Sequence, residues 1–266
     1  MPVIPVNGIR LNYQDTGQGD PVVLIQGTGG GRTVWELHQV PALTAAGHRV
    51  ITFDNRGIPP TSECPEGFTL QDMVDDVAGL IERLGIGPCR VVGTSMGAFV
   101  TQELALARPE LVRQAVLMAT RGRTDVLRAR LTRAEIALHD SGVRLPAEYA
   151  AVLRALKSLS PRTLNDDRDM ADWLDLFELS PPAGPGQRAQ MDISNMDDRL
   201  AAYRGIRVPT LVMSFADDLI TPPHLGREVA DAIPGAEFTL MPDCGHYGYL
   251  EDPAGVNKAI VDFFAL

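Results

Sequence analysis

The chain has 266 residues, 45% of them hydrophobic and 22% charged, with a formal net charge of −10. That length suits one sizeable α/β domain or a domain with an insertion, and that apolar content supports a large core and excludes a disordered chain. The acidic balance excludes a nucleic-acid partner, whose phosphate backbone would need clustered Lys and Arg.

Val3–Val6 and residues 9–14 read as two short strands around Asn7-Gly8, a two-residue hairpin turn. No basic-plus-apolar leader precedes them and no apolar run approaches membrane-spanning length, so a cytoplasmic protein with no membrane partner is expected. Val22-Val23-Leu24-Ile25 is a continuous apolar run, the mark of a strand buried on both faces. It leads into the glycine-rich loop Gln26-Gly27-Thr28-Gly29-Gly30-Gly31 and then a helix over 33–46. A strand over 49–54 and an irregular, proline-bearing stretch follow. Next comes a helix over 69–84, with Thr69 as its cap, Asp72 three residues on, and Gly85 as its stop. Val91-Val92 begins the next buried strand, which runs through Gly93-Thr94-Ser95-Met96-Gly97 into a helix, and 115–118 is a further strand.

Alternation of this kind implies a parallel sheet with helices on both faces. From about 124 to 205 it lapses into helices over 126–139, Ala147–Ser158, 164–179 and 188–204, punctuated by Pro146, Pro161 and Pro181-Pro182. This stretch reads as a helical insertion. Alternation then resumes with a strand Thr210–Phe215, a helix over 223–233, a strand Glu237–Met241 and a helix over 255–264. Three widely spaced cysteines, Cys64, Cys89 and Cys244, suggest neither a disulfide framework nor a zinc site.

Gly93-Thr94-Ser95-Met96-Gly97 is G-x-S-x-G in strand–turn–helix context, which makes Ser95 a candidate nucleophile raised on a tight turn. A serine hydroxyl needs a base, and the base needs an orienting acid. In an open parallel sheet both belong at the carboxyl ends of strands. Of the five histidines, His38 falls within the expected first helix and His48 precedes a strand. His139 lies in the helical insertion, and His224 starts a helix whose dipole disfavours its cation. Only His246 follows a strand. The acid is Asp217 or Asp218, both after the Thr210–Phe215 strand, with Asp125 a distant third. The oxyanion donors are the N–H of Met96, the residue after the nucleophile, and that of Thr28 in the glycine-rich loop. That loop lacks both dinucleotide glycine spacing and a Walker lysine, so no cofactor is expected.

Four stretches together resemble the α/β-hydrolase superfamily, nearly end to end: Phe53-Asp54-Asn55-Arg56-Gly57, Val92-Gly93-Thr94-Ser95-Met96-Gly97-Ala98, Phe215-Ala216-Asp217-Asp218-Leu219-Ile220-Thr221-Pro222-Pro223 and Gly245-His246. Within it the chain is most similar to the cofactor-free haloperoxidase-like serine hydrolases. The resemblance implies a mostly parallel eight-stranded sheet flanked by helices, with a helical cap inserted after the sixth strand. The core would be 1–123 and 206–266, and the cap 124–205, which sets substrate choice. The family pattern D-x-x-x-P falls on Asp218 and Pro222 and selects Asp218 over Asp217. No metal or haem is implied. Two departures stand out: Gln26 replaces the histidine of the family's oxyanion loop, and Ile58-Pro59-Pro60-Thr61-Ser62 replaces its Gly-x-Gly-x-Ser.

The expected function is a serine hydrolase acting on a carboxylic ester, lactone or thioester, with Ser95, Asp218 and His246 as its triad. Its substrate is a small-molecule or peptide-like acyl compound, and peracid-forming haloperoxidase activity would be incidental. A tailoring enzyme of peptide or polyketide natural products, using the same site on an amide or ring, is one alternative; a non-catalytic ligand-binding protein on the same fold is another. Trp173, Phe177 and Ile220 are candidate pocket walls, although apolar residues at helical spacing are more often core.

Overall fold

The computed structural model describes residues 2–180 and 183–266; the Pro181-Pro182 pair expected to punctuate the helical stretch lies outside the described residues. The chain opens with the hairpin β1 (Val3–Val6) and β2 (Ile9–Thr16). Asn7 at φ 41° and Gly8 at φ 77° supply the two left-handed residues that its tight turn requires. β2 pairs antiparallel with β4 (His48–Phe53). The remaining strands β3 (Asp20–Ile25), β5 (Cys89–Thr94), β6 (Val112–Met118), β7 (Thr210–Phe215) and β8 (Glu237–Met241) run parallel with β4. The sheet order is β1-β2-β4-β3-β5-β6-β7-β8.

The period of two along the central strands builds two cores. Val23, Ile25 and Val91 face helices α2 (Leu70–Leu84) and α3 (Met96–Ala107). Val22, Leu24 and Val92 face α1 (Gln39–Ala45) and α12 (Pro253–Phe264). α2 starts on a full capping box between Thr69 and Asp72 and ends at Gly85, at φ 61°. From β3 the chain passes to β4 on one side and then returns to β5 on the other. That reversal makes the carboxyl ends of β3 and β5 the topological switch point, the usual ligand position in an open α/β sheet.

Between β6 and β7 the described residues form helices α4 (Val126–Asp140), α5 (Ala147–Ser158), α6 (Pro161–Leu164), α7 (Asp167–Glu178), α8 (Pro185–Ile193) and α9 (Leu200–Tyr203). Two expected helices prove to be broken and a third starts late. The helix expected over 33–46 is a 3₁₀ turn, Arg32–Glu36, followed by α1. Pro41 has no N–H to offer residue 37 and its ring would strike that carbonyl, so the helix must restart with Pro41 in its first turn. His38 therefore stands between the two pieces. The helix expected over 164–179 begins only at Asp167, because the Asp166 side chain caps its start, accepting from the N–H groups of Arg168 and Asp169. That expected over 188–204 divides at the polar turn 195–198. Two short helices were not expected, α6, which meets the expected helix only at Leu164, and α11 (Gly248–Glu251), between β8 and α12. α10 (Pro223–Ala232) links β7 to β8. Among the described residues no helix is long and apolar enough to cross a membrane.

Candidate active site

Ser95 sits between β5 and α3 at φ 54° and ψ −121°, a conformation that L-residues rarely adopt. Backbone crowding around it explains the two glycines. A Cβ on Gly93 would lie 2.2 Å from the Gly97 carbonyl oxygen, and one on Gly97 would lie 2.2 Å from that of Ile25. The turn is tied to the next strand by the Ser95 N–H, which donates to the Met118 carbonyl at 3.0 Å. A Cβ on Gly27 would stand 3.1 Å from the Ser95 Cβ and 3.7 Å from its Oγ, so the loop after β3 packs directly against the serine.

β7 and β8 bring the acid and the base together. Asp218 is 2% exposed and receives four hydrogen bonds. Its Oδ1 accepts from the N–H groups of Ile220 (2.7 Å) and Thr221 (2.8 Å). Its Oδ2 accepts from Thr221 Oγ1 (2.7 Å) and faces His246 Nδ1 at 2.8 Å. A carboxylate accepts and cannot donate, so Nδ1 carries the proton and Nε2 is left as the basic nitrogen. Burial pushes the Asp218 carboxyl upward, but the His246 charge and the hydrogen bonds from His246 and Thr221 outweigh it and hold it below the ordinary aspartate value.

The two rival carboxylates are placed elsewhere. Asp217 gives its N–H to the Cys244 carbonyl (2.9 Å) and has no hydrogen bond to His246 among the described residues, although it and Asp218 border one cavity. Asp125 caps α4, accepting from the Arg128 N–H (2.8 Å) and pairing with its guanidinium (3.0 Å). In the loop after β3 and at the start of α3, the N–H groups of Thr28 and Met96 meet no acceptor among the described residues. They are two unpaired donors beside Ser95. The substituted Gln26 turns its Oε1 onto the Gly27 N–H (2.7 Å) and also accepts from the Tyr249 hydroxyl (3.4 Å). That contact joins the loop after β3 to the segment that follows His246.

Of the candidate pocket walls, Ile220 sits against Asp218 through its N–H and gives its carbonyl to Arg128 Nε at 3.2 Å. Trp173 and Phe177 lie on the apolar face of α7 and pack with the residue after His246. Trp173 stacks on Tyr247 at 6.1 Å and 7°, and the Arg154 guanidinium covers Phe177 at 4.4 Å and donates to the Tyr247 hydroxyl. They belong to a buried cluster with Ala151, Ala155 and Leu159. A cavity of about 360 Å³ opens instead between α5, α6 and the Asp218 loop, walled by Leu156, Leu159, Leu164 and Leu219. Neither aromatic residue lines it.

Three residues at the site escaped the sequence. Thr221 braces both Asp218 and His246, and its place three after an aspartate is the signature of an Asx-type turn. Glu251 accepts from the Gly245 N–H (2.6 Å) and from Ser160 N–H (2.9 Å), Ser160 Oγ (2.7 Å) and Thr163 Oγ1 (2.6 Å). It thus bolts the His246 loop to the start of α6. Gln190 of α8 reaches the loop after β3, taking the Gly29 N–H at 2.8 Å. On the flank of α3, Arg121 lies 5.3 Å over the Phe99 ring and donates to the Ser194 carbonyl, and burial pulls its pKa down to about 10. No local pattern announces Glu251 or Gln190, whose partners, Gly245 apart, are distant in the chain.

Comparison with known proteins bears on the whole arrangement. The profile of the Alpha/beta hydrolase family matches residues 22–259. A Mycobacterium tuberculosis H37Rv protein that carries the name non-heme bromoperoxidase BpoC is 55% identical over 97% of this chain and 98% of its own. Its crystal structure superposes with a TM-score of 0.93 at 54% identity, covering 96% of this chain and 95% of that one. The enol-lactonase of Burkholderia xenovorans LB400 is 28% identical with a TM-score of 0.82, each chain covered in full. A Variovorax paradoxus protein that carries the name carbamate hydrolase RutD is 29% identical over 96% of both chains.

Proposed function

The chain belongs to the alpha/beta hydrolase family, and from that premise we propose that it is a serine hydrolase cleaving a carboxylic ester, lactone or thioester through an acyl-enzyme. Ser95 Oγ attacks the carbonyl carbon while His246 Nε2 takes its proton. Asp218, held by four donors, keeps the imidazole in the tautomer with Nδ1 protonated and stabilises the cation that forms. The tetrahedral oxyanion lies between the unpaired N–H groups of Met96 and Thr28, each such donor being worth about 10²–10³ in rate. His246 returns the proton to the leaving group, then activates the water that frees the acyl group. Residues 124–205 act as a cap over the core formed by 1–123 and 206–266, and the cap governs which acyl group enters.

The observation that carries this reading is the buried Asp218–His246 contact of 2.8 Å, at the same carboxyl end of the parallel strands as the strained Ser95 turn. The test is Ser95→Ala on a panel of short p-nitrophenyl esters. A fall of about 10⁴–10⁶ in kcat is expected, and turnover near the wild-type rate refutes the reading.

The likeness to BpoC favours one further activity of the same site. Hydrogen peroxide in place of water would attack the acyl-enzyme, releasing a peracid and restoring Ser95. The peracid, accepting two electrons from bromide, would yield the carboxylic acid and hypobromite. Bromination that depends on both peroxide and a carboxylic acid, and that vanishes in Ser95→Ala, is the expected result. Bromination surviving that change excludes this route.

A further inference from the structure

Successive N–H groups of the loop after β3 have different fates. The Gly27 N–H is taken by the Gln26 side chain at 2.7 Å and the Gly29 N–H by the Gln190 side chain at 2.8 Å. Thr28, between them, keeps its N–H free of any acceptor among the described residues. Two side-chain amides thus pin the peptides on either side of the one that the proposed chemistry uses. Gln26 is part of the loop itself. Gln190 comes from α8, some 160 residues along the chain.

The Gln190 amide is held at both ends. It is 0% exposed, its Oε1 faces Gly29 and its Nε2 donates to the Arg56 carbonyl at 2.8 Å. It therefore cross-links the loops that follow β3 and β4. Backbone contact reinforces the seat of α8. A Cβ on Gly186 would lie 2.2 Å from the Gly57 carbonyl oxygen, and one on Gly29 would lie 2.4 Å from Gln187 Nε2. Gly29 has φ 73°, a left-handed conformation suited to glycine, and the Gly30 N–H closes the same turn onto the Gly27 carbonyl at 3.2 Å, so Gln190 supplies the one side-chain hold among the described residues that reaches this loop from outside the core.

We infer that Gln190 is a positioning residue for the oxyanion donor at Thr28, and that α8, through it, is part of the catalytic apparatus. The inference rests on the serine-hydrolase reading above. A donor displaced by about 1 Å can cost about 10²-fold, so a ligand that shifts α8 also shifts the oxyanion hole. Binding in the cap and catalysis in the core are thereby coupled by one amide.

The test is Gln190→Met, which keeps bulk and helix propensity but can neither accept from Gly29 nor donate to Arg56. With an ester that acylates wild-type Ser95, kcat should fall about 10- to 100-fold while KM stays within about twofold. The inhibition constant of a trifluoromethyl ketone, which forms the tetrahedral adduct, should rise by the same factor as kcat falls, and that of the product carboxylate should not. A purely structural role would lower the melting temperature and leave the ratio of the two inhibition constants unchanged. Unchanged kcat and unchanged ketone affinity, or equal weakening of both inhibitors, overturns the inference. Should the Met variant fail to fold, Gln190→Asn serves. Its shorter stem can reach Gly29 or Arg56 but not both, so a smaller loss in the same two readouts is expected, and full wild-type values in both overturn the inference. Failure of the serine-hydrolase reading itself would show separately, as ester turnover independent of Ser95.

Discussion

Asp218→Asn changes one atom at the most crowded polar point of the site. The carboxylate receives two backbone N–H groups on Oδ1, and a hydroxyl and an imidazole N–H on Oδ2. An asparagine has one oxygen and one NH₂, so its amide must face donors with donors on one side. Turning the NH₂ toward Ile220 and Thr221 would oppose two fixed backbone N–H groups in a fully buried position, which costs about 1–3 kcal/mol for each donor left unsatisfied. The amide therefore keeps its oxygen there and turns its NH₂ toward His246. The imidazole then has to accept at Nδ1, which moves its proton to Nε2, where Ser95 needs a base. The expected loss is about 10⁴-fold in kcat with KM little changed, because the acyl site itself is untouched. Steady-state hydrolysis of a p-nitrophenyl ester, with circular dichroism to verify folding, measures it. A folded variant within about tenfold of wild type would falsify the tautomer argument.

Three other outcomes are expected. Gly97→Ala places a Cβ 2.2 Å from the Ile25 oxygen and 2.8 Å from that of Gln26, backbone atoms that cannot swing aside. It should cost about 3 kcal/mol in urea unfolding, and an unchanged midpoint contradicts the crowding described. Glu251→Ala removes the acceptor for four donors that join the His246 loop to α6. About 2 kcal/mol of stability and about tenfold in kcat should go together, and a variant with normal kcat shows that His246 is held without that clamp. The Asp218 carboxyl is depressed in the folded state, so its stabilising contribution is present above the ordinary aspartate pKa of about 3.9 and is lost as pH falls through the folded value. Wild type should lose its stability margin over Asp218→Asn across that acid window in urea titrations, and a margin that is flat or widens there contradicts the charge-pairing account.

Much of this architecture is legible in the chain because it rests on short-range rules. The central strands read clearly since burial on both faces leaves runs such as Val22-Val23-Leu24-Ile25 almost wholly apolar, and the strands Thr210–Phe215 and Glu237–Met241 have the bounds expected. Thr69, Asp72 and Gly85 mark the ends of α2 because capping is local chemistry. Ser95 is legible because a tight turn between strand and helix tolerates only glycine where backbones touch. The helices misjudged are those where one residue overrules the pattern, Pro41 by its missing N–H and Asp166 by capping a later start. What the sequence does not display is tertiary cross-linking. Gln190 and Glu251 sit on ordinary polar helix positions, and only their distant partners give them weight. Trp173 and Phe177 illustrate the same limit, since their spacing favours a packed core over a pocket wall without naming the partner, and Tyr247 is what lies against them.

The central claim, that Ser95 becomes covalently acylated with His246 as its base, is open to one direct measurement. The intact mass of the protein is followed after exposure to a p-nitrophenyl dialkyl phosphate, and the modified peptide is then sequenced. The account predicts a single dialkylphosphoryl adduct on the peptide bearing Ser95, absent in Ser95→Ala and formed far more slowly in His246→Ala. An adduct on another residue, or steady ester turnover by a protein that takes no label, would contradict it.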